Sequence, residues 1–134
     1  MATTRGQIIY RDRAKQIRDF SGLIFDTITP TDIDGFIEYH GQAYIFIELK
    51  LAGTESPFGQ KLALERLIDD LRQTKPALCL IAEHNTTNPD EAIDAAKAIV
   101  VQYRQSNAQW REPREIYTVR QMIERFLGLV DKAQ

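Results

Sequence analysis

The feature that most constrains this fold is a pair of short apolar segments, residues 35–39 and 43–49, separated by a three-residue turn. Aromatic and branched residues dominate both segments and a glycine lies between them, so the pattern predicts a β-hairpin. If the turn centres on Gly41, Asp34 lies opposite Glu48. The hairpin therefore brings two acids together at its open end.

Strand alternation places four charged residues on one face of this hairpin: Asp32, Asp34, Glu48 and Lys50. Cross-strand neighbours lie about 5 Å apart, so two opposed carboxylates repel each other unless a cation lies between them. Mg²⁺ suits such a place, because it binds one or two carboxylates and keeps several waters. The alternative is a solvent-exposed face with an Asp32–Lys50 ion pair. Phe36 and Phe46 share this face and favour partial burial, and buried acids need a partner or a metal.

The rest of the chain predicts an α/β protein of the α+β kind, a mixed sheet covered by helices in a single domain of residues 1–134. Apolar spacing, caps and turn residues predict helices over residues 10–20, 58–72, 89–104 and 118–131, and strands over 22–29, 77–83 and 114–117 beside the hairpin. The helix over 89–104 is predicted from Asn88 as its cap, and the last helix from the spacing of Thr118 and Gln121.

Composition narrows the class of protein. The net charge is −2, so the whole molecule is not a polycation, but residues 1–18 are mainly basic and residues 26–48 carry only acids. A basic arm ahead of an acidic pocket suits a phosphate substrate met by a metal, whereas the alternative is a charged helix in water. Cys79 lies in an apolar run and is expected to be a buried thiol. No stretch approaches the ~20 apolar residues of a membrane span, so we expect a soluble cytoplasmic protein without a membrane partner.

The segments "TDIDGFIEY", "YIFIELK" and "SPFGQ" resemble the PD-(D/E)XK nuclease superfamily, which includes resolvases and the nuclease-related domain. In that family an acid opens the second core strand, E-x-K ends the third, and a helix with a glutamine near its start follows. The resemblance implies a restriction-endonuclease-like α-β-β-β-α-β core over about residues 10–83, flanked by the C-terminal helices.

Carried over one residue at a time, the resemblance implies a catalytic set of Asp34, Glu48, Lys50 and Gln60. Mg²⁺ or Mn²⁺ would be bound by Asp34 and Glu48 with the Leu49 carbonyl. The literal Pro-Asp is absent because the chain has "PTDID", so Asp32 stays open as the motif acid.

The resemblance also implies an acid in the first helix, for which Asp19 and Asp12 are candidates. Glu38 shares the face of Asp34 and is a candidate for a second metal. His84 ends an apolar strand and is either a phosphate contact or a strand-end hydrogen-bonding residue. Trp110, among arginines, either stacks on bases or packs over the edge of the core.

The implied activity is metal-dependent phosphodiester hydrolysis of nucleic acid, as in a DNA endonuclease or a resolvase. A domain of this size leaves little room for reading bases, so a homodimer or a partner protein would add to the grip on DNA. The alternative is a catalytically inactive nuclease-fold module that acts in DNA binding, control of element excision or protein interaction. Metal dependence separates the two hypotheses.

Overall fold

The computed structural model describes residues 19–55, 58–105 and 109–133, with the side chains of residues 58–60 left out of the description. The chain divides into two units, residues 1–30 and residues 31–134. Within the described part of the second unit, four strands form one sheet and two helices accompany it. No helix in the described ranges is long and apolar enough to cross a membrane.

The elements of the second unit are β1 (Gly35–Tyr39), β2 (Ala43–Leu51), α1 (Phe58–Leu71), β3 (Ala77–His84), β4 (Ile99–Gln105) and α2 (Val119–Lys132). The strands lie in the order β1-β2-β3-β4; β2 and β3 are parallel, and the two outer pairs are antiparallel. Parallel neighbours need a crossover, which α1 supplies between β2 and β3. The predicted mixed sheet with helices is confirmed at this level.

The predicted hairpin and its register are confirmed. Phe36 pairs with Phe46 and Gly35 with Ile47, as expected for a turn centred on Gly41. Gly41 has a φ of +68°, a left-handed conformation that glycine adopts without a steric penalty. The turn therefore fixes which residues of β1 and β2 share a face.

Each face of the sheet has its own apolar core. On one face, Ile45 and Ile47 of β2 pack in a cluster with Phe126 and Val130 of α2. On the other face, the cluster lies under α1 and consists of Phe46, Leu64, Ile68, Ala77 and Cys79. The continuous apolar run of β3 is thus covered on both sides, as predicted, and Cys79 is buried. Full burial of a large aliphatic side chain stabilises the fold by about 1.5–3 kcal/mol.

The start of α2 follows the predicted capping box. The Thr118 hydroxyl accepts from the backbone N–H of Gln121 at 3.2 Å, and the Gln121 side chain accepts from the backbone N–H of Thr118 at 2.9 Å. Two helix N-terminal donors are satisfied in this way. The cap fixes where α2 leaves the loop and begins to cover the sheet.

The predicted helix over residues 89–104 is wrong. The Asn88 side chain does accept from the backbone N–H of Asp90 at 3.0 Å, but a single turn forms there and no helix follows. A short 3₁₀ turn at Ala95–Lys97 precedes β4, which pairs with β3. The β-branched and aromatic residues of "IVVQY" favour a strand, and pairing with a buried neighbour outweighs the local cap signal.

Two predicted strands are also wrong. In the first unit, Ser21–Leu23 is a 3₁₀ turn, and Phe25 and Ile28 exchange backbone hydrogen bonds of 2.9 and 2.8 Å around a tight turn with positive φ at both central residues. A turn this tight interrupts the expected strand over 22–29. Residues 114 and 115 form a bend and residues 116 and 117 have no regular secondary structure, although the Tyr117 carbonyl accepts from the backbone N–H of Val100 of β4. The predicted N-terminal helix lies, up to residue 18, outside the described residues.

Candidate functional site

The structure brings Asp34 and Glu48 together at the open end of the hairpin. Asp34 directly precedes β1, and its carboxylate Oδ2 accepts from the backbone N–H of Leu49 at 2.8 Å. The backbone N–H of Asp34 in turn lies 3.4 Å from Glu48 Oε1. These two bonds hold the acids next to each other, although Asp34 lies one residue before the first strand pair, Gly35 with Ile47.

Among the described residues, Glu48 is the one charged residue that is buried, with 6% of its surface exposed. Burial raises its pKa to about 7, and repulsion from the carboxylate of Asp34 adds to this rise. The hydrogen bond from the Asp34 backbone opposes it, and the charge of Asp32 raises the pKa further. Near neutral pH the protonated and the ionised forms of this carboxyl are therefore both present, and the ionised form is the one that a cation would bind.

Asp32 lies before the paired residues, because β1 begins at Gly35. The predicted cross-strand pairing of Asp32 with Lys50 therefore falls outside the sheet. Its charge nevertheless acts on Glu48. Both candidates for the motif acid are thus near Glu48, and the carboxylate of Asp34 accepts from the backbone N–H of Leu49 in β2.

Lys50 lies two residues beyond Glu48 on the same face of β2. Its ammonium is 3.1 Å from Glu83 Oε1 and also donates to the carbonyl of Thr54. Glu83 pairs with Lys50 in the parallel register of β2 and β3, so the sheet itself places the two side chains together. The sequence alone does not show that Lys50 and Glu83 are neighbours, because the register of β2 and β3 is known only from the fold.

Two other candidates lie away from the acid pair. Glu38 pairs with Tyr44, about 13 Å along β1 from Asp34 at the usual rise per residue, and accepts from the backbone N–H of Gly41 in the turn. His84 has the strand parity opposite to Glu83 and so faces the α2 side of the sheet. Its Nδ1 accepts from the backbone N–H of Thr86 at 3.1 Å, the strand-end role that was the alternative.

The remaining candidates are less constrained. Gln60 belongs to α1, and its side chain lies outside the description. Asp19 belongs to the first unit, where its carboxylate accepts from the backbone N–H of Ser21 at 2.9 Å. Leu49 directs its N–H to Asp34, and its carbonyl faces the same side because a strand residue presents both groups to one neighbour.

The two carboxylates that the structure brings together are those of Asp34 and Glu48, and the Leu49 carbonyl is the third donor that the resemblance predicts. Within residues 19–55, 58–105 and 109–133, no group of three or more His, Cys, Asp or Glu side chains is arranged to hold a metal ion. A set of two carboxylates suits Mg²⁺, which completes its octahedral shell with waters and substrate oxygens. The repulsion between Glu48 and Asp34 is the feature of the structure that a cation would relieve.

A polar network joins α1 to β4. The Trp110 indole N–H donates to Glu65 of α1 at 2.6 Å, and the Lys61 ammonium lies 4.9 Å from the Trp110 ring centroid. Lys61 also donates to the side chain of Gln102 at 2.9 Å. Trp110 packs against the apolar cluster under α1, which confirms its predicted place over the edge of the core.

Arg104 of β4 completes this network. Its guanidinium makes two parallel bonds to Asp69, of 2.9 and 3.2 Å, and a third to the carbonyl of Glu65 at 3.0 Å. Only 11% of the arginine side chain is exposed. Two-pronged pairing of this kind fixes direction as well as distance, so α1 is held in a defined position over the sheet.

Comparisons of this chain with protein-family models, with curated proteins and with solved structures found no match. The case for a function therefore rests on the chemistry of the site. The resemblance to the nuclease superfamily stays a prediction, carried by Asp34, Glu48 and Lys50 as they lie in the fold.

Proposed function

We propose that this protein is a metal-dependent phosphodiesterase that acts on nucleic acid, with DNA as the first candidate substrate. The observation that carries the proposal is the buried carboxyl of Glu48, with its pKa raised to about 7, beside the carboxylate of Asp34. Lys50 lies two residues further along the same strand face. Two acids and a lysine around one strand end suit phosphoryl chemistry, which needs a cation and a positive group near the phosphate.

The fold proposed with this function is a restriction-endonuclease-like core. The hairpin, α1 and β3 occur in the implied order, and β3 lies parallel to β2. The expected first strand over residues 22–29 is a tight turn instead. The support therefore covers the part of the core from Asp34 to His84.

Asp34, Glu48 and the Leu49 carbonyl would hold Mg²⁺ or Mn²⁺. Such an ion, when bound, polarises a phosphate and lowers the pKa of a coordinated water. Glu48 must lose its proton to act as a ligand. The site would therefore bind a cation above about pH 7 and bind it more weakly below that pH. Asp34 is kept in place by the Leu49 N–H whether or not Glu48 is ionised.

Lys50 supplies the positive charge that the phosphate meets. Glu83 holds the ammonium 3.1 Å away on one side, so the lysine is oriented before substrate arrives. From this place it donates hydrogen bonds to a phosphate oxygen and stabilises charge that develops in the transition state. A homodimer or a partner protein would supply further contacts to DNA.

The second candidate is a catalytically inactive nuclease-fold module that acts in DNA binding, element excision control or protein interaction. One observation favours it: Lys50 is bonded to Glu83 and to the Thr54 carbonyl, and Asp34 is bonded to Leu49. Groups that satisfy one another in this way also serve a purely structural role.

The test is calorimetric titration of Mg²⁺ and Mn²⁺ into the wild type, Glu48→Gln and the matched control Glu38→Gln, an acid on the same face. A nicking assay on branched, linear and single-stranded DNA and on RNA accompanies it. We expect cation binding and cleavage in the wild type and the control, and neither in Glu48→Gln. Binding without cleavage of any substrate supports the inactive module. No cation binding by the wild type, even with nucleic acid present, contradicts the catalytic proposal.

A further inference from the structure

Three aromatic rings form a stack on the same sheet face as the acid pair, and we name them the aromatic patch: Phe36, Tyr44 and Phe46. The centroid of the Phe36 ring is 5.0 Å from that of Phe46, with 16° between the ring planes. The Phe36 and Tyr44 centroids are 6.1 Å apart, with 13° between the planes. Phe46 is buried in the core under α1, whereas 55% of Phe36 is exposed.

Phe36 lies on an outer strand of the sheet, and more than half of its surface is exposed. Its stacking partners belong to β2, and β1 is the edge strand of the sheet formed by the described residues. The stacked rings of β2 therefore cover only part of Phe36, and its exposed part offers an apolar surface. A partly exposed aromatic ring is a suitable platform for another flat ring.

The aromatic patch lies next to the charged groups of the proposed site. Phe36 follows Asp34 by two residues on one strand face, a separation of about 7 Å at the usual rise per residue. At the other end of the patch, the Lys75 ammonium lies 5.9 Å from the Tyr44 ring centroid. The acid pair of the proposed site, the exposed ring of Phe36 and the ammonium of Lys75 thus follow one another along this face of the sheet.

We propose that Phe36 stacks on a nucleobase next to the phosphate held at Asp34 and Glu48, so that the substrate is a nucleic acid with unpaired bases. The inference deepens the proposed function and rests on it. Stacking on aromatic side chains tolerates every base, because each base has a flat π face. Bases inside a duplex are already stacked on both sides and cannot contact the ring of Phe36. Bases in single strands, frayed ends and flaps can do so.

The test compares the binding of two labelled oligonucleotides of equal length, one normal and one abasic throughout, by fluorescence anisotropy. Ca²⁺ replaces Mg²⁺ as the hard cation, and a gel checks that the oligonucleotide stays intact. The proteins are the wild type, Phe36→Ala, Phe36→Tyr and the control Ile116→Ala, which removes an apolar side chain that is 83% exposed elsewhere.

We expect Phe36→Ala to bind the normal single strand about 5- to 100-fold more weakly, the range that a lost base–aromatic stack corresponds to. Phe36→Tyr and the control should bind like the wild type. The abasic strand should bind the wild type and Phe36→Ala equally weakly, because it has no base to stack. Equal loss of affinity for both strands, or a lower unfolding temperature with unchanged affinity, overturns the proposal and makes Phe36 a packing residue.

Cleavage separates this inference from the proposed function. Suppose that the wild type cleaves nucleic acid and that Phe36→Ala cleaves both duplex and single-stranded substrates at the rate of the wild type. Base stacking is then contradicted, and the nuclease function stands. If base-dependent binding is found but the wild type cleaves nothing, the stacking site stands and the catalytic function fails.

Discussion

The backbone N–H of Leu49 donates to Asp34 Oδ2 at 2.8 Å, and this bond joins the residue before β1 to the end of β2. It holds the Asp34 carboxylate beside Glu48 in spite of the repulsion between the two acids. A backbone N–H near the open end of the hairpin thus donates to a side chain and not to a carbonyl of the neighbouring strand. The bonds that hold the acid pair are therefore made within the hairpin itself.

The Asp34→Asn variant should lower the pKa of Glu48 below about 7 without restoring its ordinary value of 4.5. The asparagine amide oxygen still accepts from Leu49, so the geometry is kept while the negative charge is removed. Burial is the larger cause of the raised pKa, and it persists in the variant. NMR titration of the Glu48 side-chain carboxyl measures the change, and a pKa that does not move would show that the two charges do not interact.

The Glu48→Gln variant should be more stable than the wild type at pH 8 by up to about 2–3 kcal/mol, and equally stable near pH 4. Glu48 has a pKa of about 7 in the folded protein and an ordinary value of 4.5 when unfolded. Below pH 4.5 both states hold the proton. As the pH rises towards 7, the unfolded state releases its proton first, so the wild type loses stability through this window.

Urea unfolding of both proteins across pH 4 to 8 measures this difference. The control is Glu38→Gln, which removes an exposed acid of the same face. A difference in free energy of unfolding that stays constant with pH would contradict a raised pKa at Glu48. Addition of Mg²⁺ at pH 8 should narrow the difference, since the cation stabilises only the form that carries the carboxylate.

The Arg104→Lys variant should lose about 1–3 kcal/mol of stability, because lysine cannot make the two parallel bonds to Asp69 and the third to Glu65. Arg120→Lys is the matched control. Arg120 pairs with Glu124 on the surface of α2, where both side chains are more than half exposed, so we expect a change below about 0.5 kcal/mol. Equal effects in urea unfolding would show that the Arg104 network does not hold α1 on the sheet.

The hairpin could be predicted from sequence because several local signals agree. Alternating aromatic and branched residues set the strands, and Gly41 fixes the turn, so the register and the closeness of Asp34 to Glu48 can be predicted by counting residues from the turn. The capping box at Thr118 is equally local, and α2 begins there as predicted. Signals of this kind need no knowledge of which strands become neighbours.

The segment of β4 could not be predicted in the same way. Asn88 and Pro89 signal a helix start, whereas the strand forms only because β3 offers a buried edge to pair with. The partner of Lys50 could not be predicted from the sequence, for a similar reason. Glu83 lies 33 positions further along the chain, and only the parallel register of β2 and β3 brings it to the ammonium.

The Lys50→Met variant should cleave nucleic acid about 10²–10³-fold more slowly at unchanged Mg²⁺ affinity, the loss expected when one group that stabilises the transition state is removed. This variant also deprives Glu83 of its ammonium partner, which lies 3.1 Å away in the wild type. The double variant Lys50→Met/Glu83→Gln also removes the negative charge of Glu83. If Lys50 acts on the phosphate, the double variant regains stability in urea unfolding but stays slow in the nicking assay. If cleavage returns with stability, Lys50 serves only to neutralise Glu83, and the catalytic role assigned to it is wrong.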